Sequence, residues 1–180
     1  NALSLFASAG IAETYFERHG IHVRVAAELL EERVKIYRQM YPEVNMFQGD
    51  LTIEDNYNKV IEAAREAGCN FLLATPPCQG MSKAGLKKKT DPRNSLILVV
   101  LKAIKDIRPQ FVIIENVPEI ISAHINYEGD IVNVNDLLVR ELGEEYNFNN
   151  RKIVNTMNYG IAQSRERCVF LLSRKDSNVK

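Results

Sequence analysis

The sequence predicts an α/β fold, a three-layer sandwich in which a mostly parallel sheet carries helices on both faces. Three observations predict it. Short, largely apolar runs recur along the chain, among them Leu3–Phe6, Val23–Ala27 and Phe71–Ala74, as expected of strands buried on both faces. Between the runs lie segments with apolar residues at helical spacing, and this alternation specifies parallel strands joined by crossover helices. Each run stops at turn residues, most abruptly at Pro76-Pro77, where the missing N–H groups cannot continue a ladder. With 180 residues, 46% hydrophobic and 26% charged, the chain can bury the core of one domain, and no linker or low-complexity tract divides it.

In order, Leu3-Ser4-Leu5-Phe6 reads as the first strand, followed by the small-residue turn Ala7-Ser8-Ala9-Gly10 and a helical stretch to about Arg18. Small residues at such a turn let a ligand approach backbone N–H groups, although tight turns without ligands use them too. Val23–Ala27 is the second strand and ends in Glu28. A carboxylate at a strand tip some 20 residues after a turn glycine can accept from both ribose hydroxyls of a nucleoside cofactor, or it can face a helix N-terminus. Leu30, Val34, Tyr37 and Tyr41 then recur at helical spacing until Pro42. Val44–Phe47 is the third strand, ended by Gly49-Asp50; Asp50 suits an adenine amino group or a helix cap. A helix from Ile53 to Ala67, with Ile53, Tyr57, Val60, Ile61 and Ala64 on its apolar face, leads to the fourth strand, Phe71–Ala74.

Past that strand, Cys78 follows the Pro-Pro turn, just beyond the carboxyl edge where open α/β sheets place their chemistry. Free cysteines are commonly buried and inert, but the rigid turn and the Gln79-Gly80 that follow favour an exposed, reactive thiol. Lys83, Lys87, Lys88, Lys89 and Arg93 crowd the next loop; a solvated charge run and a phosphate-binding loop both fit. With 23 basic and 23 acidic residues the net charge is zero, which excludes attraction of nucleic acid by the whole surface and leaves a local one open. Three separated cysteines and three scattered histidines form no disulfide framework and no metal site. No apolar run reaches the length of a membrane span, and the first residues lack a basic leader, so the expected location is the cytoplasm.

Leu96, Val99, Val100, Ala103, Ile104 and Ile107 make an amphipathic helix that Pro109 ends, and Phe111–Ile114 is a strand running into Glu115-Asn116-Val117-Pro118. Glu115 occupies the same kind of strand end as Cys78, a place for a working carboxylate or a satisfied structural one. A polar stretch, Ser122–Asp130, precedes a helix through about Leu142; Asn147–Met157 reads as a strand, Asn158-Tyr159-Gly160 as a turn, and Cys168–Leu172 as the last strand. Arg165 and Arg167, two residues apart, share one face if extended and call for an anion, from a carboxylate or a phosphate.

Pro76-Pro77-Cys78-Gln79, Glu115-Asn116-Val117 and Gln163-Ser164-Arg165-Glu166-Arg167, in this order, resemble the Pro-Cys, Glu-Asn-Val and Gln-x-Arg-x-Arg motifs of the cytosine-5 DNA methyltransferases. The first turn is similar to that family's Phe-x-Gly-x-Gly loop. The resemblance implies a Rossmann-like fold, S-adenosylmethionine as methyl donor with S-adenosylhomocysteine as product, no metal, and double-stranded DNA with a flipped-out cytosine as acceptor. It implies Cys78, Glu115 and Arg165 as catalytic residues. It sets the cofactor against Phe6, Ala7, Ser8, Ala9, Gly10, Ile11, Glu28, Leu29, Asp50, Leu51, Pro76 and Leu96. Gln79, Ser82, Lys87, Lys88, Lys89, Asn116 and Arg167 fall to the substrate.

The chain departs from the family pattern at Ser4, where an acidic residue is usual, and at Ser8 and Ile11, where glycines are. The target-recognition region of the family has no counterpart in these residues, so the expectation is a catalytic domain spanning 1–180 within a longer protein or a split enzyme, with a recognition domain or second subunit as partner. A bacterial restriction-modification system is the expected setting. The alternatives are a tRNA cytosine-5 methyltransferase of the same fold, a non-catalytic cofactor-binding fragment or subunit, and, at fold level alone, a nicotinamide or flavin oxidoreductase.

Overall fold

The computed structural model of the protein describes residues 1–77, 96–148 and 152–177. Its backbone divides into two compact units, residues 1–75 with 102–112, and residues 76–101 with 113–180.

In the first unit β1 (Ala2–Leu5) pairs in parallel with β2 (Val23–Glu28) and β4 (Phe71–Ala74), and β2 pairs in parallel with β3 (Asn45–Gln48). All four residues of β1 are buried, including Ser4, as befits a strand covered on both faces. α1 (Glu31–Met40) buries Val34 and Tyr37 among Ala7, Ala26 and Met46. α2 (Glu54–Glu66) buries Tyr57, Val60, Ile61 and Ala64, four of the five residues expected on its apolar face. Ile53 is the exception: it is the extended residue before the first helical turn and stays more than half exposed. α3 (Leu96–Ile107) contributes Ala103 and Ile104 to this unit's core, and its Asp106 accepts from the Tyr57 hydroxyl at 2.6 Å.

β5 (Phe111–Asn116) continues two residues beyond the expected apolar run. In the second unit follow a hairpin of β6 (His124–Tyr127) and β7 (Asp130–Asn133), then α4 (Val134–Leu142), β8 (Tyr146–Phe148), β9 (Lys152–Asn155) and β10 (Glu166–Arg174). β10 pairs antiparallel with both β8 and β9. Among the described residues the strands of the first unit run in the order β3-β2-β1-β4, all parallel, and those of the second place β10 between β5 and β8 with β9 beside it, so the mostly parallel α/β architecture is present.

Three local expectations are corrected. The stretch after the first turn is not an α-helix: residues 11–16 form turns, and a short 3-10 helix spans Glu17–His19. Its hydrogen bonds, such as Phe16 N–H to Glu13 O and His19 N–H to Phe16 O, skip three residues rather than four, and Thr14, Tyr15 and Phe16 are weak helix formers. The polar stretch Ser122–Asp130 contains most of a hairpin, closed by Glu128 and Gly129 at φ 56° and 94°, the handedness that two-residue hairpin turns require. The single strand expected over Asn147–Met157 is two strands, β8 and β9, with residues 149–151 outside the described set.

Candidate active site

The first turn leaves β1 through three residues in the left-handed region, Phe6, Ser8 and Gly10, at φ 59°, 52° and 78°. Such strain persists only where the surroundings fix it. Here Ala7 N–H donates to Ala27 O, Ser8 N–H to Glu28 Oε2 at 2.9 Å, and Thr75 Oγ1 to Phe6 O. The Tyr41 hydroxyl donates to Gly10 O at 2.7 Å. A Cβ on Gly10 would lie 2.3 Å from the Tyr41 ring and 3.0 Å from that of Tyr37. Glycine is thus required at position 10 for both φ and space. Ala7 is buried, Ser8 and Ala9 are half-buried, and Ile11 is exposed.

Glu28 is buried at the end of β2. Its Oε2 accepts from Ser8, and its Oε1 accepts from Leu29 and Leu30 N–H at 2.9 and 3.0 Å at the start of α1. Arg33 Nη1 stands 3.8 Å away. The strand-tip carboxylate therefore both ties the turn and meets the helix start. Asp50 does not cap α2: its Oδ1 accepts from the Thr52 N–H and hydroxyl, both at 2.8 Å, and its Oδ2 has no partner among the described residues. Beside it, Ala27, Phe47, Gly49, Leu51, Asn56 and Val60 help line a hollow of about 150 Å³. Leu29 is exposed and Leu51 buried.

In the second unit the Pro76 carbonyl, which begins the turn after β4, accepts from Asn116 Nδ2 at 2.9 Å, and Asn116 Oδ1 accepts from Val117 N–H. Side chains alternate along β5, so while Asn116 is buried, neighbouring Glu115 is half-exposed. Glu115 Oε1 lies 2.8 Å from Arg167 Nε on β10, and Arg167 Nη1 also donates to Glu166 O. Of the two arginines read from the sequence, Arg167 meets the carboxylate. Arg165 precedes β10; its backbone is held by Asn155 and Thr156, and its exposed guanidinium has no partner among the described residues. Leu96 is half-buried at the start of α3. Cys78, Gln79, Ser82, Lys87, Lys88 and Lys89 lie outside the described residues.

Sequence reasoning missed three contributors. Tyr41 was read only as a core position of the α1 helix. Asn155 fastens the arginine segment by accepting from Arg165 N–H and donating to Ser164 Oγ. Glu13 accepts from the hydroxyl of Ser4; an acid nine residues after the unexpected serine was the available signal. No group of three His, Cys, Asp or Glu side chains able to hold a metal occurs among the described residues.

The fold is that of the mostly parallel α/β sheets, with a strained turn after the first strand of one unit and a carboxylate–arginine pair in the other. The chain belongs to the C-5 cytosine-specific DNA methylase family, which matches residues 1–180. It is 37% identical over 178 residues to the Type II methyltransferase M1.HgaI of Avibacterium volantium, covering 96% of this chain and 50% of that protein. It is 32% identical to the Type II methyltransferase M.FnuDI of Fusobacterium nucleatum, covering 98% of this chain and 48% of that one. A crystal structure of a proposed DNA modification methyltransferase encoded within an E. coli prophage superposes with TM-score 0.80 at 21% identity, over 100% of this chain and 48% of that one. The chain spans about half the length of these relatives.

Proposed function

We propose that the chain carries the catalytic residues of a DNA (cytosine-5-)-methyltransferase using S-adenosylmethionine. One observation carries the reading: Asn116 holds the Pro76 carbonyl while its neighbour Glu115 pairs with Arg167, so three motifs far apart in sequence meet within one unit. The residues of the other unit fit the cofactor chemically. The first turn offers backbone, Glu28 offers a carboxylate for a diol, and Asp50 has a free oxygen for an amino group. When bound, the cofactor supplies an electrophilic methyl group.

Carbon 5 of cytosine is a poor nucleophile, and Cys78 overcomes this by adding its thiolate to carbon 6. Glu115 holds the ring nitrogen and exocyclic amine and shares a proton with them, so that negative charge does not accumulate on the ring. Arg167 orients that carboxylate, which leaves the Arg165 guanidinium for the flipped base or a neighbouring phosphate. After transfer the carbon 5 proton leaves and Cys78 is expelled. Gln79, Ser82 and the Lys87–Lys89 run lie next to the nucleophile in sequence and suit contacts with a duplex from which the base has been extruded. Within this reading the product is S-adenosylhomocysteine, no metal takes part, sequence choice comes from a recognition domain or second subunit, and the setting is a bacterial restriction-modification system in the cytoplasm.

The test joins two measurements on the wild type and Cys78→Ala: calorimetric titration with S-adenosylmethionine, and covalent trapping on a 5-fluorocytosine DNA duplex with added cofactor. Trapping by the wild type, and its loss in Cys78→Ala with cofactor affinity within about twofold, is the expected result. Equal loss of both in the variant would make Cys78 structural, and trapping on tRNA but not DNA would transfer the reading to RNA.

A further inference from the structure

Beneath the first turn lies a carboxyl group that the proposed chemistry does not use. Glu13 is 2% exposed, although Ala12 and Thr14 on either side are exposed. Its Oε1 accepts from the Ser4 hydroxyl on β1, and its Oε2 is buried with no hydrogen-bond partner among the described residues. The Tyr37 hydroxyl on α1 is likewise buried and unpartnered, and the charge of Glu13 adds to burial in holding the Tyr37 hydroxyl well above its ordinary range. The rings of Tyr37 and Tyr41 in turn leave no room for a side chain at Gly10, which places this buried polar space directly against the turn.

Among the described residues, α1 and the residue after it supply Tyr37 and Tyr41 to that space, while the turn above is tied to Glu28, which Arg33 faces. Among the described residues no cation is a cause of the shift at Glu13. Burial raises the Glu13 carboxyl above the usual range, opposed only in part by the Ser4 hydrogen bond and its own backbone. An ionised carboxylate without water or counter-charge is unfavourable, and one placed under a ligand-binding turn favours a ligand that brings positive charge.

Resting on the cofactor reading above, we propose that Glu13 is the charge partner of the cationic methionyl end of S-adenosylmethionine, acting through the first turn, and that it replaces the carboxylate missing at Ser4. The methionyl end carries an ammonium, a sulfonium and a carboxylate and so has a net positive charge, which a carboxylate in a poorly solvated site attracts through space. As the cation arrives, the Glu13 carboxyl ionises and its proton passes to solvent. The demethylated product keeps the ammonium and has lost the sulfonium charge, so Glu13 biases the site toward the methyl donor and against the spent cofactor.

The experiment titrates the chain with S-adenosylmethionine and S-adenosylhomocysteine separately, at a series of pH values above the ordinary carboxylate range and in buffers of differing ionisation enthalpy, which counts the protons released. In the wild type, binding of the methyl donor releases part of a proton. Glu13→Gln, which keeps an acceptor for Ser4, releases none and loses roughly tenfold in its preference for donor over product. A chain with Ser4→Asp and Glu13→Ala, which moves the carboxylate back to the strand, regains that preference. If Glu13→Gln keeps both the preference and the proton release, the inference is overturned and the cofactor reading stands. If the wild type binds neither ligand, the cofactor reading fails and takes the inference with it.

Discussion

Single residues at the first turn carry more constraint than their size suggests. Gly10 combines φ 78° with a ring 2.3 Å from where a Cβ would sit, and that ring is anchored because the Tyr41 hydroxyl is bonded to the Gly10 carbonyl. Gly10→Ala therefore meets backbone strain and a clash that the tyrosine cannot relieve without giving up its hydrogen bond. The expected cost is about 1–3 kcal/mol in denaturant unfolding, with weakened binding of S-adenosylmethionine. Asn116 is a second such residue. It supplies the donor for Pro76 O and the acceptor for Val117 N–H, and Asn116→Ala leaves both without their partner. That variant should lose about 1–3 kcal/mol of stability, and Asn116→Asp should be no more stable at neutral pH, because it buries a carboxylate against the Pro76 carbonyl.

At the scale of elements, regular periodicity was legible and irregular geometry was not. β2 and β4, α2 and α3 begin and end close to where apolar spacing, Pro76 and Pro109 put them. The β6–β7 hairpin was hidden because it is short and polar, and its turn uses Glu128 in a conformation that glutamate seldom adopts. The stretch after Gly10, expected to be helical to about Arg18, was misread because its residues form turns and a short 3-10 helix with bonds that skip three residues. The site shows the same division. The three motifs were readable as strings, whereas the choice of Arg167 over Arg165 as the partner of Glu115 depends on where β10 begins, and side-chain pairing through space leaves no periodic trace in sequence.

At the scale of the whole molecule, equal numbers of acids and bases leave stability to depend on particular buried groups rather than on net repulsion. Glu13 is the clearest. Its folded-state pKa is raised by burial, so as pH climbs past the ordinary carboxylate range the unfolded chain gives up this proton first, and stability falls until the folded pKa is passed. Below the ordinary range both states hold the proton and the penalty vanishes. Glu13→Gln should accordingly melt at a higher temperature than the wild type at neutral pH and at the same temperature at about pH 3, as thermal scans at the two pH values would read. The residue proposed to favour the cofactor is thus a liability to the cofactor-free fold, a trade expected at binding sites.

The hydrogen bond between Ser4 and Glu13 also orders the substitutions by which these two positions can drift. If Ser4 became aspartate while Glu13 remained, two carboxyl groups would face each other in a buried space where only one can stay ionised. If Glu13 changes first, the loss is one hydrogen-bond acceptor and a serine left to reorient, a milder step. A lineage exchanging a strand carboxylate for a turn carboxylate, in either direction, is therefore expected to pass through an intermediate that has neither.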